Sequence, residues 1–368
     1  MGRLSATLIV RDESTFIEPC LESLAGVVDE IVIVDTGSRD DTLEKAKRFP
    51  VSIHHFPWCG DFSAARNHAI ERATGDWILY IDADERLLPP DRSLLHDMLT
   101  DDTKTAWRLR LHPRVNWTAY AELRLFRNDP RIRFHGVIHE RVHADVNAVC
   151  HSDRRQIGLS ALTLNHVGYE GDQTHKLGRN IPMLRAYLAR EPTRVYCWWH
   201  LGEMLRLQGD DAGALEAWRK GVEAVRAQPP GLTSTSDSPP FVSLIVLQYE
   251  RNEPVHELLR EALALFPRHL TLQWIAAKLA IEAGDEATAR PILERLAAID
   301  ATSFFDPDIA YEKSLFSHLS REALALCHFR AGRFPDAARC YRAAAATAPD
   351  PATCELKARL AEARSIGP

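Results

Sequence analysis

The chain has 368 residues, of which 45% are hydrophobic and 26% are charged, with a net charge of −6 and a pI near 6.2. This length allows two domains, and the lack of a basic cluster excludes a nucleic-acid partner. No apolar run approaches the roughly 18 to 20 residues of a membrane span, and the seven cysteines are scattered. We therefore expect a cytoplasmic protein with free thiols and without a transmembrane segment.

Short β-rich segments alternate with helical segments in the first part of the chain. The strands are predicted at 6–10, 30–35, 51–56 and 77–82, and the helices at 16–27, 40–49 and 63–74. Apolar strands separated by helices predict a parallel sheet covered on both faces, with ligands at the carboxyl ends of the strands. Acidic residues follow three of these strands, at Asp12-Glu13, Asp35 and Asp82. They indicate a ligand site at that edge.

From about residue 192 the sequence is rich in Ala, Leu, Glu and Arg at helical periodicity. Trp198-x-x-Leu201-Gly202, with Ala214 and Trp218 beyond it, is close to the tetratricopeptide pattern, which repeats about every 34 residues. The spacing recurs between 325 and 349, with weaker copies at 242–267 and 270–301, and 228–240 is predicted to be an inserted loop. We predict stacked helical repeats, with an irregular helical bundle as the alternative.

Three carboxylates follow the apolar run of the last predicted strand, in Tyr80-Ile81-Asp82-Ala83-Asp84-Glu85. If the strand continues through Asp84, then Asp82 and Asp84 lie on one face and repel each other unless a cation lies between them. Oxygen ligands suit Mg²⁺ or Mn²⁺. The alternative is a solvated strand end whose acids cap a turn, and that is the role we expect for Glu85.

Three motifs carry a resemblance to a known family. They are IVIVDTGSRDDT (31–42), DFSAARNHA (61–69) and YIDADE (80–85), extended by FHGVIHE (134–140), NHVGY (165–169) and Lys176-x-x-Arg179-Asn180. In these motifs the chain resembles family 2 glycosyltransferases of the GT-A fold. With its repeats, it is similar to the branch that includes bacterial peptide S-glycosyltransferases acting on bacteriocins. The resemblance implies an α/β GT-A domain followed by an all-α domain of tetratricopeptide-like repeats.

The resemblance also implies roles for individual residues. The nucleotide-sugar site would comprise Asp12, Glu13, Asp35, Arg66, Asn67, Asp82 and Ala83. Asp35 would contact the base, typically uracil, and Arg66 the diphosphate. Asp84 and His166 would bind Mn²⁺ or Mg²⁺, with Asp82 contacting the ribose or the metal. The residues alone leave alternatives open: a turn cap for Asp35, a salt bridge between Arg66 and Asp82, and a structural histidine at 166.

The catalytic base of inverting transfer takes the proton of the acceptor. By its position between the D-x-D motif of Asp82 and Asp84 and the later His166, Glu140 matches the acidic base of the family, with His139 as the fallback. An ion pair between Glu140 and Arg141 is the structural alternative. A cysteine acceptor would depend less on a base, because its thiol is more acidic than a hydroxyl.

Residues 139–143 read HERVH and so satisfy the H-E-x-x-H motif of zinc peptidases, which requires a helix. The surrounding β-branched residues and Gly136 favour a strand or a bent strand instead. No glutamate follows between Arg141 and Tyr169 to act as a third ligand. We therefore disfavour a zinc peptidase activity. A binding scaffold with an inactive N-terminal domain is disfavoured, because the acidic motifs are intact. A nucleotidyltransferase is disfavoured, because no glycine-rich loop follows the first strand.

The sequence thus predicts a GT-A domain at 1–175, a linking helix at 176–191 and helical repeats at 192–368. The predicted activity is that of a metal-dependent, inverting hexosyltransferase that uses a UDP-sugar. The expected acceptor is a peptide or protein side chain bound by the repeats; a saccharide or a lipid-linked glycan is the alternative. Monomer and homodimer are both left open.

Overall fold

The computed structural model describes residues 2–168 and 174–365, so Tyr169 of the NHVGY motif lies outside the described residues. The chain divides into two compact units. The first comprises residues 1–115, 120–192 and 203–210, and the second comprises 116–119, 193–202 and 211–368. The predicted boundaries at 175 and 191 stay a prediction.

The first unit is built around one sheet of eight strands. They are β1 (Leu4–Val10), β2 (Glu30–Asp35), β3 (Ser52–His55), β4 (Trp77–Tyr80), β5 (Glu85–Leu87), β6 (Lys104–His112), β7 (Tyr120–Arg127) and β8 (Gln156–His166). Their order is β3-β2-β1-β4-β7-β6-β8-β5. The first four in this order are mutually parallel, whereas β7 is antiparallel to both β4 and β6, and β8 pairs parallel with β6 and antiparallel with β5.

Helices connect the parallel strands. They are α1 (Ile17–Leu24), α2 (Thr42–Ala46) and α3 (Phe62–Ile70), followed by α4 (Arg92–Thr100), α5 (His143–Asp153) and α6 (Leu177–Leu188). The strands β1, β2 and β4 are almost entirely buried, which explains their continuous runs of apolar residues. The predicted alternation of strands and helices is confirmed in this region.

Two local predictions were wrong. The strand β4 ends at Tyr80 rather than at Asp82, and a turn follows, in which the Glu85 amide donates to the Asp82 carbonyl at 2.9 Å. The aspartates at 82 and 84 therefore do not alternate along a strand. Residues 134–142 form no strand either; they make an irregular loop closed by one antiparallel bridge between His135 and Arg141.

The second unit is helical. Its elements are α7 (Val195–Leu207), which it shares with the first unit, α8 (Asp211–Arg226), α9 (Pro239–Glu250), α10 (His256–Leu265), α11 (Leu270–Glu282), α12 (Glu286–Ala297), α13 (His318–Arg330), α14 (Phe334–Ala345) and α15 (Pro351–Ser365). Small residues lie where paired helices touch. Gly202 of α7 packs against the fully buried Trp218 of α8, whose indole N–H donates to the Trp199 carbonyl at 3.1 Å. No helix in the described ranges is long and apolar enough to cross a membrane.

The contact between Gly202 and Trp218 generates a stability prediction. A Cβ at position 202 would overlap the Trp218 indole, so Gly202→Ala should lower the free energy of unfolding by about 1–3 kcal/mol. Gly178→Ala is the matched control, because a Cβ there meets no atom within 4 Å. Urea denaturation followed by circular dichroism measures both variants; equal midpoints would contradict the predicted packing.

Candidate functional site

Polar residues from separate elements meet at the carboxyl edge of the sheet. Asp35 ends β2, Asp12 and Glu13 follow β1, and the turn containing Asp82 follows β4. Because the three strands are adjacent and parallel, in the order β2-β1-β4, their carboxyl ends share one edge. The sequence prediction of a polar edge at these residues agrees with this arrangement.

Asp84 and His166 form a close pair at this edge. The strand β8 pairs antiparallel with β5, which sets His166 opposite Glu85, and its Nε2 lies 3.4 Å from Asp84 Oδ2. Both side chains are 13% exposed. Burial lowers the pKa of His166, although Asp84 and Asp82 oppose the shift, so the imidazole is neutral near pH 7 and can offer a lone pair. A carboxylate and a neutral imidazole are both ligands for Mn²⁺.

Gly168 allows this pair to form. A Cβ at position 168 would overlap the Asp84 carboxylate, so any larger residue would displace that side chain. The glycine of the NHVGY motif is thus explained by close packing against the acidic turn. Sequence reasoning assigned it no role, because nothing local indicates which side chain approaches it.

Asp82 is directed toward two arginines. Its Oδ1 accepts a hydrogen bond from Arg66 Nη2 at 2.7 Å, and its Oδ2 lies 3.9 Å from Arg124 Nη1. Burial alone would raise the pKa of Asp82, but the guanidinium groups of Arg66 and Arg124 hold it below its usual value. The salt bridge between Arg66 and Asp82, the structural alternative for Arg66, is therefore present.

The predicted metal set is only partly assembled. Asp84 and His166 lie together, whereas Asp82 is paired with arginine. Within residues 2–168 and 174–365, no group of three His, Cys, Asp or Glu side chains is arranged to hold a metal ion. Two protein ligands suit Mg²⁺ or Mn²⁺ when phosphate and water oxygens complete the shell, but they do not suit a structural zinc.

Glu85 is fully buried, and the turn cap expected of it is present. It has no exposed surface, and its carboxylate accepts two hydrogen bonds from Arg124, at 2.7 and 3.1 Å, and one from the Asp82 amide at 2.9 Å. It does cap the turn, but from inside. Burial and the charges of Asp82 and Asp84 raise the pKa of Glu85, and Arg124 opposes the rise. Sequence reasoning missed Arg124, although an arginine inside the apolar strand β7 was a signal of a buried partner.

Glu140 is also bound to arginine. Its Oε1 accepts a hydrogen bond from Arg66 Nε, and the side chain is 10% exposed. Burial would lower the pKa of Arg66, but Asp82 and Glu140 raise it, so the guanidinium stays charged. The candidate base is thus joined to the acidic turn through one arginine.

The loop that carries Glu140 is fastened to helix α3. The Asn67 carboxamide donates to the Phe134 carbonyl at 3.0 Å and accepts from the Phe134 amide at 2.8 Å. Ser63 donates to the Gly136 carbonyl at 2.6 Å. Asn67 therefore has a structural role that holds this loop, and its predicted contact with the nucleotide stays a prediction.

Asp35 is buried at the end of β2. Its Oδ1 accepts the Ser38 amide at 2.9 Å, and its Oδ2 lies 3.2 Å from His55 Nδ1. Burial would raise the pKa of Asp35, but the hydrogen bonds from Ser38, His55 and the Gly37 amide lower it. The carboxylate is therefore ionised near pH 7. The predicted turn cap is present, and it does not exclude a second partner on Oδ2.

Three other predicted contacts differ in exposure. Asp12 is exposed, has a positive φ of 56° and accepts the Arg39 amide at 2.7 Å. Ala83 is 3% exposed, and its carbonyl accepts from Arg86 at 2.8 Å. Burial, with the charges of Asp84 and Asp82, raises the pKa of Glu13 to about 7, against the opposing effect of Lys176. Their roles toward a nucleotide sugar stay predictions.

The H-E-x-x-H sequence does not form a zinc-binding helix. His139 has a positive φ of 52°, Arg141 forms the bridge to His135, and α5 begins only at His143. The two histidines therefore lack the i, i+4 spacing along one helix that the motif needs. The expectation that this motif is not helical is confirmed.

The raised pKa of Glu13 generates a pH prediction. Because the folded pKa of about 7 exceeds the ordinary value of 4.5, the stability of the wild type relative to Glu13→Gln should be highest below pH 4.5 and should fall as the pH rises through 7. The slope should not exceed about 1.4 kcal/mol per pH unit. Urea midpoints from pH 5 to 8 measure it, with the exposed Glu22→Gln as control. Parallel curves for wild type and Glu13→Gln would contradict the prediction.

Comparison with known proteins shows similarity over parts of the chain. Residues 5–151 match the model of glycosyl transferase family 2, and residues 310–354 match a tetratricopeptide repeat model. A TPR repeat-containing protein of Synechococcus elongatus is 36% identical over 236 residues, covering 62% of this chain and 59% of that protein. The SPbeta prophage-derived glycosyltransferase SunS of Bacillus subtilis is 28% identical over 228 residues, covering 60% and 53%. The chain thus spans between half and two thirds of the length of these relatives.

Among solved structures, glucosyl-3-phosphoglycerate synthase from Mycobacterium tuberculosis, in complex with Mn²⁺, UDP and glucosyl-3-phosphoglycerate, has a TM-score of 0.36 at 16% identity, covering 48% of this chain and 75% of that chain. The family match includes all the predicted site residues except His166. The chain therefore carries a glycosyltransferase family 2 domain with a GT-A type of sheet, followed by a helical region that contains a tetratricopeptide repeat.

Proposed function

We propose that the protein transfers a sugar from a UDP-sugar to a side chain of a peptide or protein, with inversion at the anomeric carbon and with Mn²⁺ or Mg²⁺ bound. The observation that supports this most directly is the Asp84–His166 pair at the edge where Asp35 ends the neighbouring parallel strand β2. A family 2 glycosyltransferase domain over residues 5–151 agrees with the donor chemistry.

The donor would be bound across the carboxyl ends of β2, β1 and β4. Asp35 is ionised and partnered through Oδ1 by Ser38, so its Oδ2 can accept a ring N–H of uracil in place of His55. Only a base with an N–H donor facing this carboxylate would satisfy it. A uridine nucleotide meets this requirement through the ring N–H of uracil, and a guanosine nucleotide would meet it too.

Asp84 and His166 would hold the metal ion, since they supply a carboxylate oxygen and a neutral imidazole nitrogen 3.4 Å apart. A bound divalent cation would offset the negative charge that gathers on the diphosphate as the glycosidic bond breaks. Glu13 and Lys176, whose charges act on each other close to Asp84, would adjust the field around the phosphates. Asp82 would remain paired with Arg66 and would not bind the metal.

Glu140 would act as the general base. Its Oε1 is held by Arg66, so Oε2 is the oxygen that would take the proton from the acceptor while the acceptor attacks the anomeric carbon. The leaving UDP departs from the opposite face, which gives inversion. His139 stays the alternative base.

The helical repeats would bind the acceptor. Partly exposed aromatic residues occur on the first helices of successive pairs, at Trp199, Tyr249 and Trp274, and Lys278 lies over the last two rings, at 4.9 and 5.1 Å. Aromatic rings and a flexible cation are suited to an extended peptide, and stacked repeats present such groups along one surface. A saccharide acceptor would need a pocket of closely spaced hydrogen-bonding groups instead.

The donor site is tested by Asp84→Asn. Losing one of two metal ligands should weaken UDP binding in the presence of Mn²⁺ by about 10- to 100-fold, measured by calorimetry. UDP binding in the presence of EDTA should already be weak and should not change. The matched control is Asp97→Asn, an exposed aspartate on α4. Metal-independent UDP binding by the wild type would refute the metal assignment.

The base is tested by Glu140→Gln. This variant should keep the wild-type affinity for UDP and lose about 10²- to 10⁴-fold in turnover of the UDP-sugar, because the glutamine oxygen can still accept the hydrogen bond of Arg66 but the amide cannot take the proton. Turnover is measured with a panel of UDP-glucose, UDP-galactose and UDP-N-acetylglucosamine in Mn²⁺. Unchanged turnover would reject Glu140 and direct attention to His139.

The acceptor is tested with Lys278→Glu in the full-length protein. Transfer of label from a radioactive UDP-sugar to a library of synthetic peptides containing Ser, Thr, Cys and Asn should fall by about 10-fold or more, as expected for reversal of a charge at a binding surface. Hydrolysis of the UDP-sugar should not change. Lys220→Glu, an exposed lysine on α8, is the control. Label found only on oligosaccharides would replace the peptide with a saccharide acceptor.

A further inference from the structure

Arg66 is almost enclosed by its ionic partners. Its side chain is 9% exposed, Nη2 donates to Asp82 Oδ1 at 2.7 Å, and Nε donates to Glu140 Oε1. Two of the three guanidinium nitrogens are thus bonded to carboxylates of different segments, which lie 16 and 74 residues away in the sequence. Such charge-assisted bonds define the orientation of both partners.

A second arginine extends the same arrangement. Arg124 donates twice to Glu85 and lies 3.9 Å from Asp82, so positive and negative groups alternate along one connected chain. Its order is Glu85, Arg124, Asp82, Arg66 and Glu140. We call this chain of side chains the ionic network.

The two arginines of the ionic network lie over aromatic rings. The guanidinium carbons of Arg66 and Arg124 lie 5.1 and 4.6 Å from the centre of the Tyr80 ring, and that of Arg66 lies 5.6 Å from the Phe134 ring. Tyr80 is the last residue of β4, and Phe134 packs edge-on against it at 5.0 Å. Cation–π contacts on rigid, buried rings leave the two guanidinium groups little freedom to turn toward another ligand.

The charges in the ionic network also oppose a second role for Arg66. Three carboxylates face two guanidinium groups, so neither arginine provides surplus positive charge. If Arg66 moved to a diphosphate, Glu140, which is 10% exposed, would lose the guanidinium group that its Oε1 binds, which is strongly unfavourable. Asp82, which is 34% exposed, would keep only the 3.9 Å contact with Arg124. The family assignment of this arginine to the diphosphate therefore conflicts with its surroundings here.

We propose that Arg66 is a positioning residue for Glu140 and not a ligand of the donor diphosphate, and that Arg124 supports it by holding Asp82. This inference rests on the proposed function, in which Glu140 is the base. Arg66 fixes Oε1 and thereby presents Oε2 to the acceptor. Since Asp82 belongs to the same turn as Asp84, the ionic network also links the base to the segment that holds the donor.

Arg66→Lys tests the inference, because lysine keeps the charge but cannot bridge two carboxylates with fixed geometry. The dissociation constants of UDP and of uridine are measured by calorimetry with Mn²⁺, and turnover is measured with the same three UDP-sugars. We expect the UDP affinity to stay within about threefold and turnover to fall by about tenfold or more. A tenfold loss of UDP affinity with unchanged uridine affinity would identify Arg66 as a diphosphate ligand and overturn the inference.

A double-mutant cycle distinguishes an effect of Arg66 on Glu140 from a merely structural role of Arg66. If Arg66 acts through Glu140, Arg66→Lys should cause no further loss of turnover in the Glu140→Gln background. Multiplied losses would overturn the inference. Failure of the wild type to bind UDP and to turn over any of the three sugars would instead refute the proposed function, and the inference with it.

Arg124 is tested with its partner removed as well, because an unpaired Glu85 could prevent folding. In Arg124→Met/Glu85→Leu both charges are replaced by apolar groups of similar size, which folded proteins tolerate. We expect turnover to fall with unchanged UDP affinity; wild-type turnover would overturn the supporting role. The control is Arg127→Met, since Arg127 lies on the same strand but packs over Trp77 outside the ionic network, and its turnover should equal that of the wild type.

Discussion

The candidate site depends on one constraint: the carboxylates of the largely buried acidic turn need positively charged partners. Asp82, Asp84 and Glu85 follow a fully buried strand, and burying several carboxylates without partners would prevent folding. Two arginines from other elements, Arg66 on α3 and Arg124 on β7, provide the compensation. Arg124 binds Glu85 and lies near Asp82 within the turn, whereas Arg66 joins Asp82 to Glu140 of another segment. Neutralising the turn therefore also determines where the segment of Glu140 lies.

As a result, the two aspartates of the D-x-D motif have different partners. Asp82 is bound by Arg66, whereas Asp84 lies beside His166, which the pairing of β8 with β5 places next to it. One aspartate therefore belongs to the internal ionic network and the other to the candidate donor site. Through Arg66 the ionic network extends to Glu140, so the candidate base is joined to the turn that also carries Asp84.

Sequence reasoning succeeded where local patterns carry the information. The apolar runs of β1, β2 and β4 identify buried parallel strands, and Trp198, Gly202 and Trp218 identify a packed helix pair. It failed at the acidic turn, where alternation along a strand was assumed. The Glu85 carboxylate binds the Asp82 amide at 2.9 Å and ends the strand early, and no pattern of hydrophobicity reports such a bond.

The sequence by itself determined the α/β domain, the helical repeats, the polar edge of the sheet and the resemblance of the first domain to family 2 glycosyltransferases, because these depend on periodicity and on short motifs read along the chain. Only the tertiary structure decided the partners of the charged residues. Arg124 lies 39 residues from Glu85, and Arg66 lies 74 from Glu140. Which charges pair across such separations depends on the tertiary contacts that bring their segments together, and no pattern read along the chain reports those contacts.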